Sequence, residues 1–112
     1  MLKTLWTNPD ISQNFSSQNI TLSSSDYDFL IATALNSPNG NIVSTVVVPK
    51  GSSFYFSYTQ TAGSGLRTNT RLCSFGTNVS YDISLASEQQ LSGTESSVSN
   101  KLIPYKIYGV KI

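Results

Sequence analysis

The chain has 112 residues, one cysteine, no histidine and a net charge of +1, a length suited to one domain with a single core. Charged residues are only 12% of the total, while Ser, Thr, Asn and Gln together make up about 40%, far above ordinary usage. These figures exclude a basic nucleic-acid-binding surface, a disulfide-stapled mini-domain and a charge-driven disordered chain. No apolar run is long enough to cross a bilayer.

"LKTLW" at 2–6 opens the chain as a strand. It is expected to pair with the C-terminal strand, because domain termini usually lie close together. The first ten residues lack the apolar segment of a secretory signal. "NPDISQNFSS" at 8–17 is irregular and is entered through Asn8-Pro9. "DYDFLIATAL" predicts a strand with Tyr27, Phe29, Ile31 and Leu35 on one face and Asp26 and Asp28 facing out. "NSPNGN" at 36–41 contains Asn39-Gly40, a dipeptide that tolerates positive φ at both central turn positions, and predicts a hairpin loop. "NIVSTVVVP" is nearly continuous and β-branched, as in a strand at the middle of a sandwich.

"PKGS" at 49–52, "TAGSG" at 61–65 and "FGTN" at 75–78 read as turns. Between them, "SFYFSYTQ" places Phe54, Phe56 and Tyr58 on one side and Tyr55 alone on the other. "NVSYDISLA" places Val79, Tyr81, Ile83 and Leu85 on one face. The stretch 86–100 has no clear period and predicts a long loop with at most a short edge strand. In the closing "LIPYKIYGVKI", Lys106 and Lys111 are five apart, so a regular strand would point them to opposite faces. Gly109 suggests a bulge near Tyr108–Gly109 that turns Tyr105, Ile107, Val110 and Ile112 inward and both lysines outward. The alternative is a strand covered on both sides, one of them by a neighbouring subunit. No stretch sustains a helical period. The pattern predicts one all-β domain over 1–112, an antiparallel, jelly-roll-like β-sandwich of about seven or eight strands.

The chemistry available is narrow. Without histidine, the commonest general base and most zinc and copper sites are missing. Cys73 has Arg67 and Arg71 upstream but no base beside it, so a buried thiol is expected. Asp26 and Asp28 would lie about 7 Å apart on a strand, within the range of a glycosidase pair. Two solvent-facing carboxylates at a strand entrance share one environment, however, whereas an acid and a base need different ones. No calcium loop and no phosphate-cradling glycine loop occurs, and no cofactor is expected. Binding fits better, because aromatic faces stack on sugar rings while Asn, Gln, Ser and Thr bond hydroxyls. Tyr55, Trp6 and Tyr108 are the candidate ligand or interface contacts, Tyr55 because it faces away from Phe54, Phe56 and Tyr58.

Two end motifs add a resemblance. "LWTNP" followed by a strand beginning "YD", and "IPYKIYGVKI" at the end, resemble small C-terminal receptor-binding-type domains of bacteriophage tail-fibre and baseplate proteins. The match covers Leu5 to Ile31 and Ile103 to Lys111, and not the interior. It implies an all-β domain on the virion surface, a homotrimer that contacts other tail proteins and the host envelope. Such domains usually follow a long shaft, which implies an excised domain or a short virion protein. The resulting expectation is a non-enzymatic virion domain adhering to host cell-surface polysaccharide, with no nucleic acid and no membrane insertion. Two alternatives stand beside it: a structural decoration or fibre-assembly module without a receptor, and a small glycan-cleaving enzyme using Asp26 and Asp28.

Overall fold

Alternating apolar and polar residues rich in Val, Ile, Thr, Tyr and Phe favour pleated strands that bury one face, and among the described residues strands are the only regular elements. The computed structural model describes residues 1–62 and 65–112. Nine strands follow in order: β1 (Leu2–Thr7), β2 (Gln18–Thr21), β3 (Phe29–Leu35), β4 (Ile42–Pro49), β5 (Phe54–Ala62), β6 (Gly65–Phe75), β7 (Ser80–Gln90), β8 (Glu95–Val98) and β9 (Ile103–Val110). All pairings are antiparallel. One sheet has the order β1-β9-β3-β4; the other has β2-β7-β6-β5, with β8 also on β7. The two sheets pack as a sandwich, and the molecule measures 46 × 24 × 22 Å. Its length comes from β5, β6 and β7, of 9, 11 and 11 residues, which run on as an arm. The terminal strands wrap as in a jelly roll, β1 and β3 on either side of β9, while β5–β6–β7 form a plain meander.

Phe54, Phe56, Tyr81 and Ile83 form the centre of the core, as their period predicts, with Leu30, Ala32, Ala34 and Ile107 facing them from the other sheet. Each such Leu, Ile or Phe contributes roughly 1.5–3 kcal/mol by leaving water. Cys73 is a free, fully buried thiol in this core. Burial pushes it up from 9.0 to about 12, against the opposing pull of Arg71. Burial also raises the Tyr27 and Tyr81 hydroxyls above 10.0. A raised folded-state acid gives stability that is complete below its unfolded value and falls as the pH climbs toward the folded one. Alkaline destabilisation is therefore expected to begin near pH 9.0 for the native chain. In Cys73→Ala the onset moves toward the tyrosine value of 10.0, a difference that thermal unfolding measured against pH will resolve.

Several sequence expectations are corrected. Tyr27 and Leu35 are buried as expected, but the core residues of β3 between them are Leu30, Ala32 and Ala34, while Phe29 and Ile31 lie on the outer face, only half-buried. "FLIATAL" is apolar at both parities, so the partner strands choose the inward set. β4 is an edge strand, not a central one. Leu85 does not share the face of Tyr81 and Ile83: it is 39% exposed, because β7 gains one residue, Ser84 and Leu85 standing opposite the single Leu72 between Ile83↔Cys73 and Ala86↔Arg71. The stretch 86–100 contains the short edge strand expected, β8, but is not a long loop, since β7 runs through Gln90 before returning as β8. In the 36–41 loop Asn39 has φ 55°, whereas Gly40 has no positive φ. The turn expected at 61–65 falls partly outside the described residues.

The closing strand does contain a bulge, but elsewhere than expected. Ala32↔Ile107 and Ala34↔Pro104 leave Tyr105 and Lys106 opposite the single residue Thr33. Thr33 Oγ1 donates to the Lys106 carbonyl at 2.9 Å and accepts the Lys106 N–H at 3.1 Å, which stitches the gap. A second bulge makes Leu5 the extra residue of β1 between Thr4↔Tyr108 and Trp6↔Ile107. Around Gly109 the ladder is regular. Ile112 does not face the core and is 88% exposed, while Val110 is half-buried on the outer face. Gly109 has a different reason to be glycine: a Cβ there would lie 2.7 Å from Leu5 Cδ1 and 2.9 Å from Tyr27 Cβ. The expected pairing of β1 with β9 is present.

Candidate functional site

The three aromatic candidates occupy three different environments. Trp6 follows the Leu5 bulge and turns toward the core, half-buried, edge-on to Phe15 with ring centroids 6.2 Å apart. Tyr108 pairs with Thr4 and Ile31 on the outer face of the β1-β9-β3-β4 sheet, half-buried. Tyr55 stands on the outer face of β5 and is 59% exposed. The parity of Phe54, Phe56 and Tyr58 therefore does separate Tyr55 from the core.

The register around Tyr55 brings together residues that are far apart in sequence. Its direct neighbour on β6 is Leu72. The next outward row reads Ser57, Thr70, Ser87 and Ser97 across β5, β6, β7 and β8. The row beyond reads Thr59, Thr68, Gln89 and Glu95. Strands lie about 4.8 Å apart, so the face is a grid of hydroxyl and amide groups beside one tyrosine ring. At the tip of the arm it ends in a shallow groove of about 390 Å³ lined by Leu66, Thr68, Gln89, Gln90, Leu91 and Gly93. The polar grid is not evident from any one segment, although part of its signal is present: "SYTQT" and "LRTNT" both repeat hydroxyl residues at period two.

The opposite outer face has another character. One row across β1, β9, β3 and β4 is Leu2, Val110, Phe29 and Pro49, and the next is Thr4, Tyr108, Ile31 and Val47. Val47 is 63% exposed and Leu2 59%. A solvated antiparallel face normally carries polar residues; this one carries seven apolar or aromatic residues in two adjacent rows.

Asp26 and Asp28 sit beside one another before β3, and both meet Lys111, whose Nζ is 3.4 Å and 3.9 Å from their respective oxygens. Asp28 also accepts the N–H of Ile112 at 2.8 Å. The two carboxylates thus share one cation and help to hold the C-terminal segment. Among the described residues no group of three His, Cys, Asp or Glu gathers in a way that would hold a metal ion.

Arg71, invisible as a special residue in the sequence, is fully buried. Its guanidinium donates to the carbonyls of Phe15 at 3.0 Å, Ser84 at 2.7 Å, Lys101 at 2.8 Å and Ser99 at 3.5 Å. It also lies over the Phe15 ring at 5.5 Å. Among the described residues no carboxylate pairs with it; backbone dipoles take the place of a counter-ion. Burial lowers its pKa to about 10, which still leaves it charged at neutral pH. The Ser84 carbonyl belongs to the β7 bulge, and Phe15 and Lys101 to segments that cap the sandwich, so this one side chain ties three elements together.

Comparison of the chain with protein-family models, with curated proteins and with solved structures finds no match.

Proposed function

We propose that this chain is a non-enzymatic receptor-binding domain of a bacteriophage tail fibre, located on the virion surface, which adheres to host cell-surface glycans through the outer face of β5–β8. The observation that carries this reading is the solvent-exposed Tyr55 ring beside two four-residue rows of Ser, Thr, Gln and Glu side chains. An aromatic face supplies stacking area, and fixed hydroxyl and amide groups exchange hydrogen bonds with sugar hydroxyls. The resemblance of the "LWTNP" and "IPYKIYGVKI" ends to tail-fibre domains supports the same context. Tyr55→Ala tests the reading: on a glycan array or in host-cell adsorption, binding should fall by up to about tenfold relative to the native chain, the effect of losing one stacking contact of about 0.5–1.5 kcal/mol. The melting temperature should stay unchanged, because the ring is exposed. A native chain that binds no glycan and no host cell would overturn it.

In the same proposal the chain forms a homotrimer alongside other tail proteins, and the apolar rows of β1, β9, β3 and β4 form the subunit contact. Exposed rows of Leu, Val, Phe and Ile lose water when copies meet. Val47→Asp with Tyr108→Lys should therefore shift the chain to a monomer in sedimentation velocity at micromolar concentration. A native chain that sediments at its monomer mass of 12.1 kDa would count against the contact. The same rows favour, as a second reading, a fibre-assembly or decoration module that lacks any receptor. Association without any glycan binding would select it.

A further inference from the structure

The inner face of the arm carries a row in register across four strands: Tyr58, Asn69, Glu88 and Ser96. Asn69 is fully buried and Glu88 nearly so, and Arg71 lies two residues along β6 on the same face, also fully buried. Four side-chain atoms of these three residues have no hydrogen-bond partner among the described residues: Asn69 Nδ2 and Oδ1, Arg71 Nε and Glu88 Oε2. The remaining atoms of the group are engaged. Glu88 Oε1 accepts from Arg67 at 3.3 Å, and the two terminal nitrogens of Arg71 hold their four carbonyls.

A buried polar group left unmatched costs about 1–3 kcal/mol. Four such groups in one place would consume most of a typical domain's stability of about 5–15 kcal/mol. The four atoms are two N–H donors and two oxygen acceptors. Side chains opposite one another on paired strands have Cβ atoms about 5 Å apart, and alternate residues on one strand are about 7 Å apart. Those separations suit a small bridging molecule that forms one short bond to each side. A cation is disfavoured because Arg67 and Arg71 stand in the cluster, and an anion because Glu88 Oε2 and Asn69 Oδ1 face it. A neutral molecule that both donates and accepts satisfies all four atoms.

We propose that Asn69, Glu88 and Arg71 bind an internal water molecule that links the arm to the capped end of the sandwich. The water donates to Glu88 Oε2 and Asn69 Oδ1 and accepts from Arg71 Nε–H and Asn69 Nδ2–H. It extends the Arg67–Glu88 pair into a continuous network with Arg71, so the arm and the segments around Phe15 and Lys101 move as one body. This site is independent of the glycan face, which lies on the other side of the same strands.

The test is a crystal structure of the full chain at a resolution that places waters, together with oxygen-17 relaxation dispersion in solution. A density peak within hydrogen-bond reach of at least three of the four atoms is expected. In solution Asn69→Leu, which removes a donor and an acceptor, should hold one fewer long-lived water than the native chain. Glu88→Gln, which keeps an acceptor oxygen, should retain that water. An Asn69 amide bonded directly to Glu88 and Arg71 with no density between them would overturn the proposal, as would an unchanged water count in folded Asn69→Leu. Should Asn69→Leu fail to fold, the native density and the Glu88→Gln count decide.

Discussion

Replacement of Arg71 by methionine is expected to lower the unfolding free energy by roughly 3–5 kcal/mol. The change preserves much of the buried volume and removes a charge that is costly to desolvate, which by itself would favour folding. What it leaves behind is worse. The carbonyls of Phe15, Ser84, Ser99 and Lys101 lose their donors, and each unmatched buried acceptor costs about 1 kcal/mol or more. The Ser84 carbonyl belongs to the bulge that carries Leu85 outward and Ala86 inward, so the loss also loosens the register of β7 against β6. Arg71→Lys should recover only part of the stability, because one ammonium cannot reach the acceptors that a planar fork with several fixed N–H directions spans. Guanidinium denaturation is the measurement: a lower midpoint with an unchanged slope signals lost stability in an otherwise intact fold. A midpoint within error of the native one would mean that the four carbonyls find other donors.

The second large effect is at Gly109. Gly109→Ala is expected to cost roughly 1–3 kcal/mol by overpacking, and Gly109→Val more. The new methyl would meet Leu5 Cδ1 at 2.7 Å, the end of a side chain that can turn aside. It would also meet Tyr27 Cβ at 2.9 Å, which is fixed to the backbone of a fully packed residue. The backbone of β9 must therefore shift against β3, with which Gly109 pairs opposite Leu30. A double-mutant cycle separates the two contacts: Leu5→Ala in the Gly109→Ala background should relieve the first clash and leave the second. Full additivity of the two changes would mean that Leu5 does not press on this site.

The fold class was legible because it follows from local periodicity. Phe54, Phe56 and Tyr58 alternate cleanly, as do Tyr81 and Ile83, and in both places the structure buries the expected face. The exposure of Tyr55 follows from the same parity. The pattern failed where both parities are apolar, as in β3, where "FLIATAL" could sit either way round. It failed again where a partner strand inserts a residue. The bulge of β9 is held by the hydroxyl of Thr33, 73 positions earlier in the chain, and no inspection of "IPYKIYGVKI" alone could place it. Gly109 pointed to an irregularity, but its cause is the close approach of Leu5 and Tyr27, not a broken ladder.

The candidate site shows the same division. The identity of Tyr55 as an outward aromatic lies in the sequence, whereas the grid beside it exists only because β5, β6, β7 and β8 bring Ser57, Thr70, Ser87 and Ser97 into one row. What the order of residues determined alone was extended backbone, a buried face for most strands and a neutral, hydroxyl-rich exterior, since alternation and composition act between near neighbours. What tertiary packing decided was where registers slip, which apolar face of the first sheet turns outward, and that Arg71 sits in the interior beneath four carbonyls. Those outcomes depend on contacts between distant segments, whose energies no stretch of the chain carries until its partners are in place.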